Sequence, residues 1–181
     1  MIAKWKTLLD LFVKYNSKTL DYFDSEYKEL IENKSVIACV LRSTDYTKLK
    51  PKDHPIQPEI KDVFAKIREV MNNHQIDGIY IATEDENIAD AFRKEFPGMI
   101  LENKRQYYNG KYTEGDLSQI SDVHFEREND DYYKMLEYLS SMNLVSKCDY
   151  LVTGLSGGSE MAIYRNGNKY KYSYVFDKGV Y

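Results

Sequence analysis

The chain has 181 residues, enough for one domain with a sizeable core, and its 43% apolar and 30% charged residues describe an ordinary globular protein. A formal net charge of -4 argues against a nucleic-acid or anionic-membrane surface, while leaving room for a local basic pocket. No apolar run approaches the roughly 20 residues that span a bilayer. Nor does the start, Met1-Ile2-Ala3-Lys4-Trp5-Lys6, carry the pattern of a secretory signal.

Trp5, Leu8, Leu9, Phe12 and Val13 share one helical face, and Leu20, Phe23, Tyr27, Leu30 and Ile31 share a second. Residues 1–34 are therefore expected as two helices, packed on the remaining domain (35–181) through Trp5, Leu8, Phe12, Phe23 and Leu30. The apolar run Val36–Leu41 reads as a buried parallel strand. A proline-punctuated loop over 49–58 follows, and Pro58 suits the first turn of the next helix. That helix shows Ile60, Val63, Phe64, Ile67, Val70 and Met71 at i, i+3, i+4, i+7 spacing. Gly78–Thr83 is the second strand. Glu84-Asp85-Glu86 opens a helix carrying Ile88, Phe92 and Phe96, closed by Pro97-Gly98. Met99–Leu101 is a short third strand.

Residues 103–127 form a long polar connection, with Asn109-Gly110 as a hairpin turn. A helix from about 129 to 146 is expected to bury Tyr132, Leu136, Leu139, Met142 and Val145. The strand at 150–153, a helix opening at Gly157 and a last strand over Lys171–Phe176 complete the chain. Strands alternating with helices give an α/β fold, a Rossmann-like, mainly parallel sheet with helices on both faces. Two cysteines, Cys39 in a strand and Cys148 after a helix, are expected as buried thiols of a cytoplasmic protein.

In such a sheet, ligands bind outside the carboxyl ends of the strands. Arg42 follows the first strand, and its guanidinium must find anionic partners: a diphosphate, which its fork geometry matches, or an ion pair with Asp45 or Glu84. Ser43-Thr44-Asp45 equally suits a capped turn. Ser156-Gly157-Gly158-Ser159 follows the fourth strand and opens a helix, so its backbone amides suit an anion, or its serine a cap. The loop lacks the Gly-Lys-Ser/Thr of a P-loop and the glycine spacing of a dinucleotide fingerprint. Thr83, Glu84 and Asp85 lie at another strand end, where a carboxylate can serve a guanine, a sugar hydroxyl or a helix cap. His54 and His124 sit in loops. The three histidines and two cysteines show no metal-ligand spacing, so no metal site is expected.

Taken in order, these pieces resemble the donor-binding, C-terminal half of the GDP-fucose-dependent fucosyltransferases, a superfamily of α1,2-, α1,6- and protein O-fucosyltransferases. The likeness is to its bacterial polysaccharide-synthesis members, and it covers about Ser35 to Tyr181. Arg42-Ser43-Thr44-Asp45-Tyr46 is similar to the family's first motif, Arg-Gly-Thr-Asp-Tyr, and His54-Pro55-Ile56-Gln57-Pro58 to the segment after it. Ala82-Thr83-Glu84-Asp85 with Phe92 and Phe96 resembles the second motif, Thr153–Ala162 the third, and Phe176-Asp177-Lys178-Gly179-Val180-Tyr181 the closing Phe-Asp-x-Gly-x-Tyr.

The resemblance implies one half of a GT-B glycosyltransferase, inverting, with no cofactor and no metal, taking GDP-fucose for transfer to a glycan or surface polysaccharide. On it, Arg42 is the catalytic residue, contacting the diphosphate. Arg42, Asp45, Thr83, Glu84, Asp85, His124, Ser156, Gly157, Gly158 and Ser159 are donor-binding. Ser43 stands where the motif has glycine. The chain also starts with helices where a complete enzyme carries an acceptor domain, so an acceptor-domain partner or a homo-oligomer is expected, and little turnover in isolation. A non-catalytic or truncated interaction domain with a decayed nucleotide site, or a GT-B transferase of another nucleotide sugar, are the alternatives.

Overall fold

Among the residues described by the computed structural model (1–43, 47, 49–108 and 123–181) the element order is α1 (Ile2–Phe12), α2 (Ser17–Leu30), β1 (Val36–Val40), α3 (Ile60–Asn73), β2 (Gly78–Ala82), α4 (Glu86–Glu95), β3 (Ile100–Leu101), α5 (Asp130–Lys147), β4 (Tyr150–Gly154), α6 (Gly157–Asn166) and β5 (Tyr172–Phe176). The expected turn at Asn109-Gly110 and the candidate Asp45 lie outside the described residues.

Alternation along β1 sets the layers. Ile37 and Cys39 point to one face, where Val63, Ile67 and Val70 of α3 and Phe92 of α4 meet them. Val36, Ala38 and Val40 point to the other, against Met142, Leu144 and Val145 of α5 and Ala162 of α6. Every residue of β1, β2 and β4 is buried. A strand covered on both faces must be apolar throughout, which is why the sequence shows runs rather than alternation. Fully buried side chains such as Ile67 and Phe92 each contribute about 1.5–3 kcal/mol of transfer free energy.

The sheet has five strands in the order β3-β2-β1-β4-β5, with each neighbouring pair parallel. Val36 is in register with Gly78 on one side of β1, and Ile37 with Tyr150 on the other. The chain thus winds outward from β1 through β2 to β3, then returns to place β4 on the far side of β1. This reversal opens a crevice beyond the carboxyl ends of β1 and β4. The C-terminal tail folds back onto the proline loop after β1. Pro55 bridges Val180, and the Ile56 amide donates to the Gly179 carbonyl at 2.9 Å. The two short motifs at 54–58 and 176–181 therefore meet.

Three expectations need correction. The α1 helix buries none of its residues and Phe12 is 79% exposed, so Phe12 does not pack as expected; Trp5 does meet the domain, beside Tyr164 of α6 (ring centroids 5.9 Å apart). Only α2 reaches the core, through Phe23 and neighbouring Ile31. Tyr132 is exposed, and the inner face of α5 instead carries Ser140, Ser141, Asn143 and Ser146 beside its apolar residues. Pro58 precedes the helix it was expected to enter, since Glu59 is the N-cap of α3.

Candidate functional site

A cleft of about 560 Å3 opens at the crevice. Arg42 beyond β1, Thr83 and Glu84 beyond β2, and Ser156, Gly157 and Gly158 beyond β4 all line it. The structure therefore gathers six of the sequence candidates around one space, because parallel strands present all their carboxyl ends on the same side.

Local hydrogen bonding settles which groups face inward. Arg42 Nε lies 3.5 Å from Glu84 Oε1, so the ion pair read as one alternative is present. The same Glu84 oxygen accepts from the Ser43 amide at 3.2 Å, and the Ser43 hydroxyl bonds the Asp85 carboxylate. Ser43 is not among the cleft-lining residues; its side chain cross-links the ends of β1 and β2 instead. Asp85 also caps α4, accepting from the Asn87 amide at 2.9 Å, and does not line the cleft. That matches the capping alternative for this residue.

Ser156 and Ser159 form a reciprocal capping box, Ser159 N to Ser156 Oγ at 3.2 Å and Ser156 N to Ser159 Oγ at 2.9 Å. Ser159 is fully buried and its hydroxyl serves backbone. Gly157 and Gly158 are left to present first-turn amides to the cleft. The two glycines differ. A Cβ at Gly157 would meet nothing within 4 Å, whereas one at Gly158 would stand 3.0 Å from Met142 Sδ and 3.1 Å from Tyr138 Oη. Gly158 permits α5 and α6 to approach, and Gly157 keeps the open side bare.

His124 is 66% exposed and does not line the cleft. Its Nδ1 lies 3.6 Å from Asp131 Oδ1 and 3.9 Å from Asp130 Oδ2. Among the described residues these three form the sole grouping with metal-ligand proximity, but Asp130 is already held by Arg127 at 2.7 Å and by the Phe125 amide at 3.0 Å.

Several lining residues were not among the donor-binding candidates. Lys134 reaches Asp131 at 3.0 Å and the Val123 carbonyl at 2.7 Å. Tyr108 also lines the cleft; burial first, then the Glu137 and Asp130 charges, push its hydroxyl up to about 12, so it remains a neutral donor near pH 7. Arg105 enters from the connection after β3 and donates to the Thr83 carbonyl, Asn103 Oδ1 and Ser141 Oγ. The strand-end rule that singled out Arg42 would have flagged Arg105 too, since it follows another strand's carboxyl end. Gln57 acts from behind: its Nε2 donates to the Leu155 carbonyl at 2.8 Å and its Oε1 faces the Arg42 amide at 3.5 Å, tying the loops after β1 and β4 together.

No protein-family model matches the sequence, and no curated protein matches it. Solved structures do share its fold. A NodZ α1,6-fucosyltransferase co-crystallised with GDP aligns with a TM-score of 0.55 at 13% identity, over 84% of this chain and 42% of that one. A NodZ fucosyltransferase from Bradyrhizobium gives 0.56 at 14% identity, over 88% and 44%. POFUT1 in complex with GDP gives 0.56 at 11% identity, over 95% and 49%. This chain spans less than half the length of each. The shared property is architecture: the chain has the Rossmann-like α/β fold found within known fucosyltransferases.

Proposed function

We infer that residues 35–181 are the donor-binding half of a GT-B fucosyltransferase, with residues 1–34 as an accessory helical segment, and that the cleft takes the nucleoside diphosphate of GDP-fucose. The observation that carries this reading is the convergence of Arg42 with the Gly157 and Gly158 amides at the β1/β4 switch point. The motifs around these residues resemble those of the family, and structures bearing the fold were solved with GDP or GDP-fucose.

In the proposed reaction an acceptor hydroxyl attacks the anomeric carbon as the bond to the diphosphate breaks, inverting the centre without a metal, and the hydroxyl proton is released to solvent. The departing GDP carries the developing negative charge. Arg42 and the α6 amides stabilise it, Thr83 and Glu84 border the nucleoside side, Asp85 supports that edge, and Asp45 is a further donor-binding candidate from its motif. The acceptor is proposed to be a glycan or surface polysaccharide in the cytoplasm, presented by a second domain, a partner chain or a second copy. Positioning of that hydroxyl supplies several kcal/mol of the barrier, so the chain by itself is expected to release GDP slowly.

A second reading has its own observation. Arg42 is paired with Glu84, and Asp85, Ser156 and Ser159 serve as caps, which also suits an interaction domain whose nucleotide site has decayed. Calorimetry with GDP, GDP-fucose, UDP and ATP separates the two. GDP-selective binding that weakens about tenfold or more in Arg42→Ala supports the donor reading. Absence of nucleotide binding supports the interaction domain, and a preference for UDP or ATP overturns the fucosyl assignment.

A further inference from the structure

The charges of the cleft do not balance residue by residue. Arg42 pairs with Glu84, and Lys134 with Asp131. Arg105, in the same wall, has only neutral partners among the described residues: the Thr83 carbonyl, Tyr80 Oη at 3.4 Å, Asn103 Oδ1 and Ser141 Oγ. It makes no ion pair there, and its buried Nε finds no hydrogen-bond partner. Burial pushes the Tyr80 hydroxyl up to about 12, so this partner brings no negative charge near neutral pH.

The side chain is nonetheless fixed. Tyr80 Oη donates to Asn103 Oδ1 at 2.7 Å, and Asn103 Nδ2 donates to the Glu137 carbonyl at 3.2 Å. Glu26, buried in α2, accepts from the Lys104 amide at 3.2 Å and from the Ser140 hydroxyl. The loop that delivers Arg105 is thus clamped on both sides. Ser141, which holds the guanidinium, precedes Met142, which stands against Gly158. Arg105 therefore shares the wall that approaches the α6 amides.

A guanidinium cannot shed its charge, and holding it in place through neutral acceptors leaves that charge directed at whatever enters the cleft. We propose that Arg105 is a second anion-binding residue of the cleft, taking a phosphate oxygen of the bound nucleoside diphosphate. The proposal rests on the nucleotide reading for the identity of its ligand, and on Arg105's own surroundings for the anion.

The test compares wild type with Arg105→Gln by calorimetry against GDP and guanosine, and by thermal shift against inorganic pyrophosphate. Arg105→Gln should weaken GDP by about 10- to 100-fold, the range of a hydrogen bond to a charged group, leave guanosine within about twofold, and abolish the pyrophosphate shift. Unchanged GDP affinity overturns the role of Arg105 while the nucleotide reading stands. Equal loss of GDP and guanosine also overturns it, because that marks a purely structural residue. A wild-type pyrophosphate shift that needs Arg105, without GDP binding, upholds the anion site and overturns the nucleotide reading. No binding of either overturns both. If Arg105→Gln gives no folded protein, Arg105→Lys decides: retained charge should keep GDP affinity within about tenfold, and a complete loss counts against the proposal.

Discussion

Gly154 ends β4 at the point where the chain runs closest to Gln57, and adding one methyl there has a cost that can be worked out. An alanine Cβ would overlap Gln57 Oε1 and stand 3.1 Å from Pro58 Cδ and 3.2 Å from Gln57 Cδ. Gln57 cannot swing aside without giving up its 2.8 Å bond to the Leu155 carbonyl. Overpacking costs about 1–3 kcal/mol, and the lost hydrogen bond about 0.5–1.5 more. At about 2–4 °C per kcal/mol for a domain of this size, Gly154→Ala should lower Tm by about 3–18 °C. Gln57→Ala alone should cost about 1 kcal/mol, the worth of its hydrogen bond. With the glutamine gone, however, the worst overlap is relieved and only the 3.1 Å approach to Pro58 Cδ remains, so Gly154→Ala should then add less than about 1 kcal/mol. Urea melts of the four proteins close this cycle. Additive costs, or a Gly154→Ala protein as stable as wild type, would refute the view that Gln57 is wedged between the two strand ends.

Two further outcomes follow from burial and charge. Burial pushes both the Cys39 and Cys148 thiols well above the usual thiol range, so the native protein should resist a thiol-reactive dye near neutral pH, and both should react once urea unfolds it; rapid labelling of the folded protein would contradict this. Burial acts to raise the Asp130 carboxyl, but the Phe125 amide and the Arg127 and Lys134 cations outweigh it and hold it below its ordinary value of 3.8. A lowered folded value stabilises above the unfolded pKa and is lost as pH falls through the folded one. Asp130→Asn should therefore melt below wild type near pH 7, and the gap should close as acid protonates the folded-state carboxylate; a constant gap would rule out the ionised form as the source.

Much of the architecture is written locally. The runs at Val36–Val40, Gly78–Ala82 and Tyr150–Gly154 had to be doubly covered strands, and the 60–71 stripe had to be a helix face, because burial on a pleated strand or a 3.6-residue helix leaves a period in the sequence. Arg42 and the Gly157-Gly158 turn were legible for the same reason, each directly following such a run. Helix-face patterning failed at Phe12 and Tyr132, where a sound local period says nothing of whether a neighbour arrives to cover it.

What the tertiary structure alone decided is how distant pieces share space. The return of β4 to the free edge of β1 placed Arg42 and Gly157 around one cleft. Gln57 meets Leu155 across 98 positions of sequence. Asp85 and Ser159 were committed to capping backbone, and Arg105 was given neutral partners after β2, after β3 and on α5. A residue's type fixes which bonds it can make, and the sequence displays that. Which bonds it does make depends on the partners that packing brings within about 3 Å, and strand order, not local period, selects those partners.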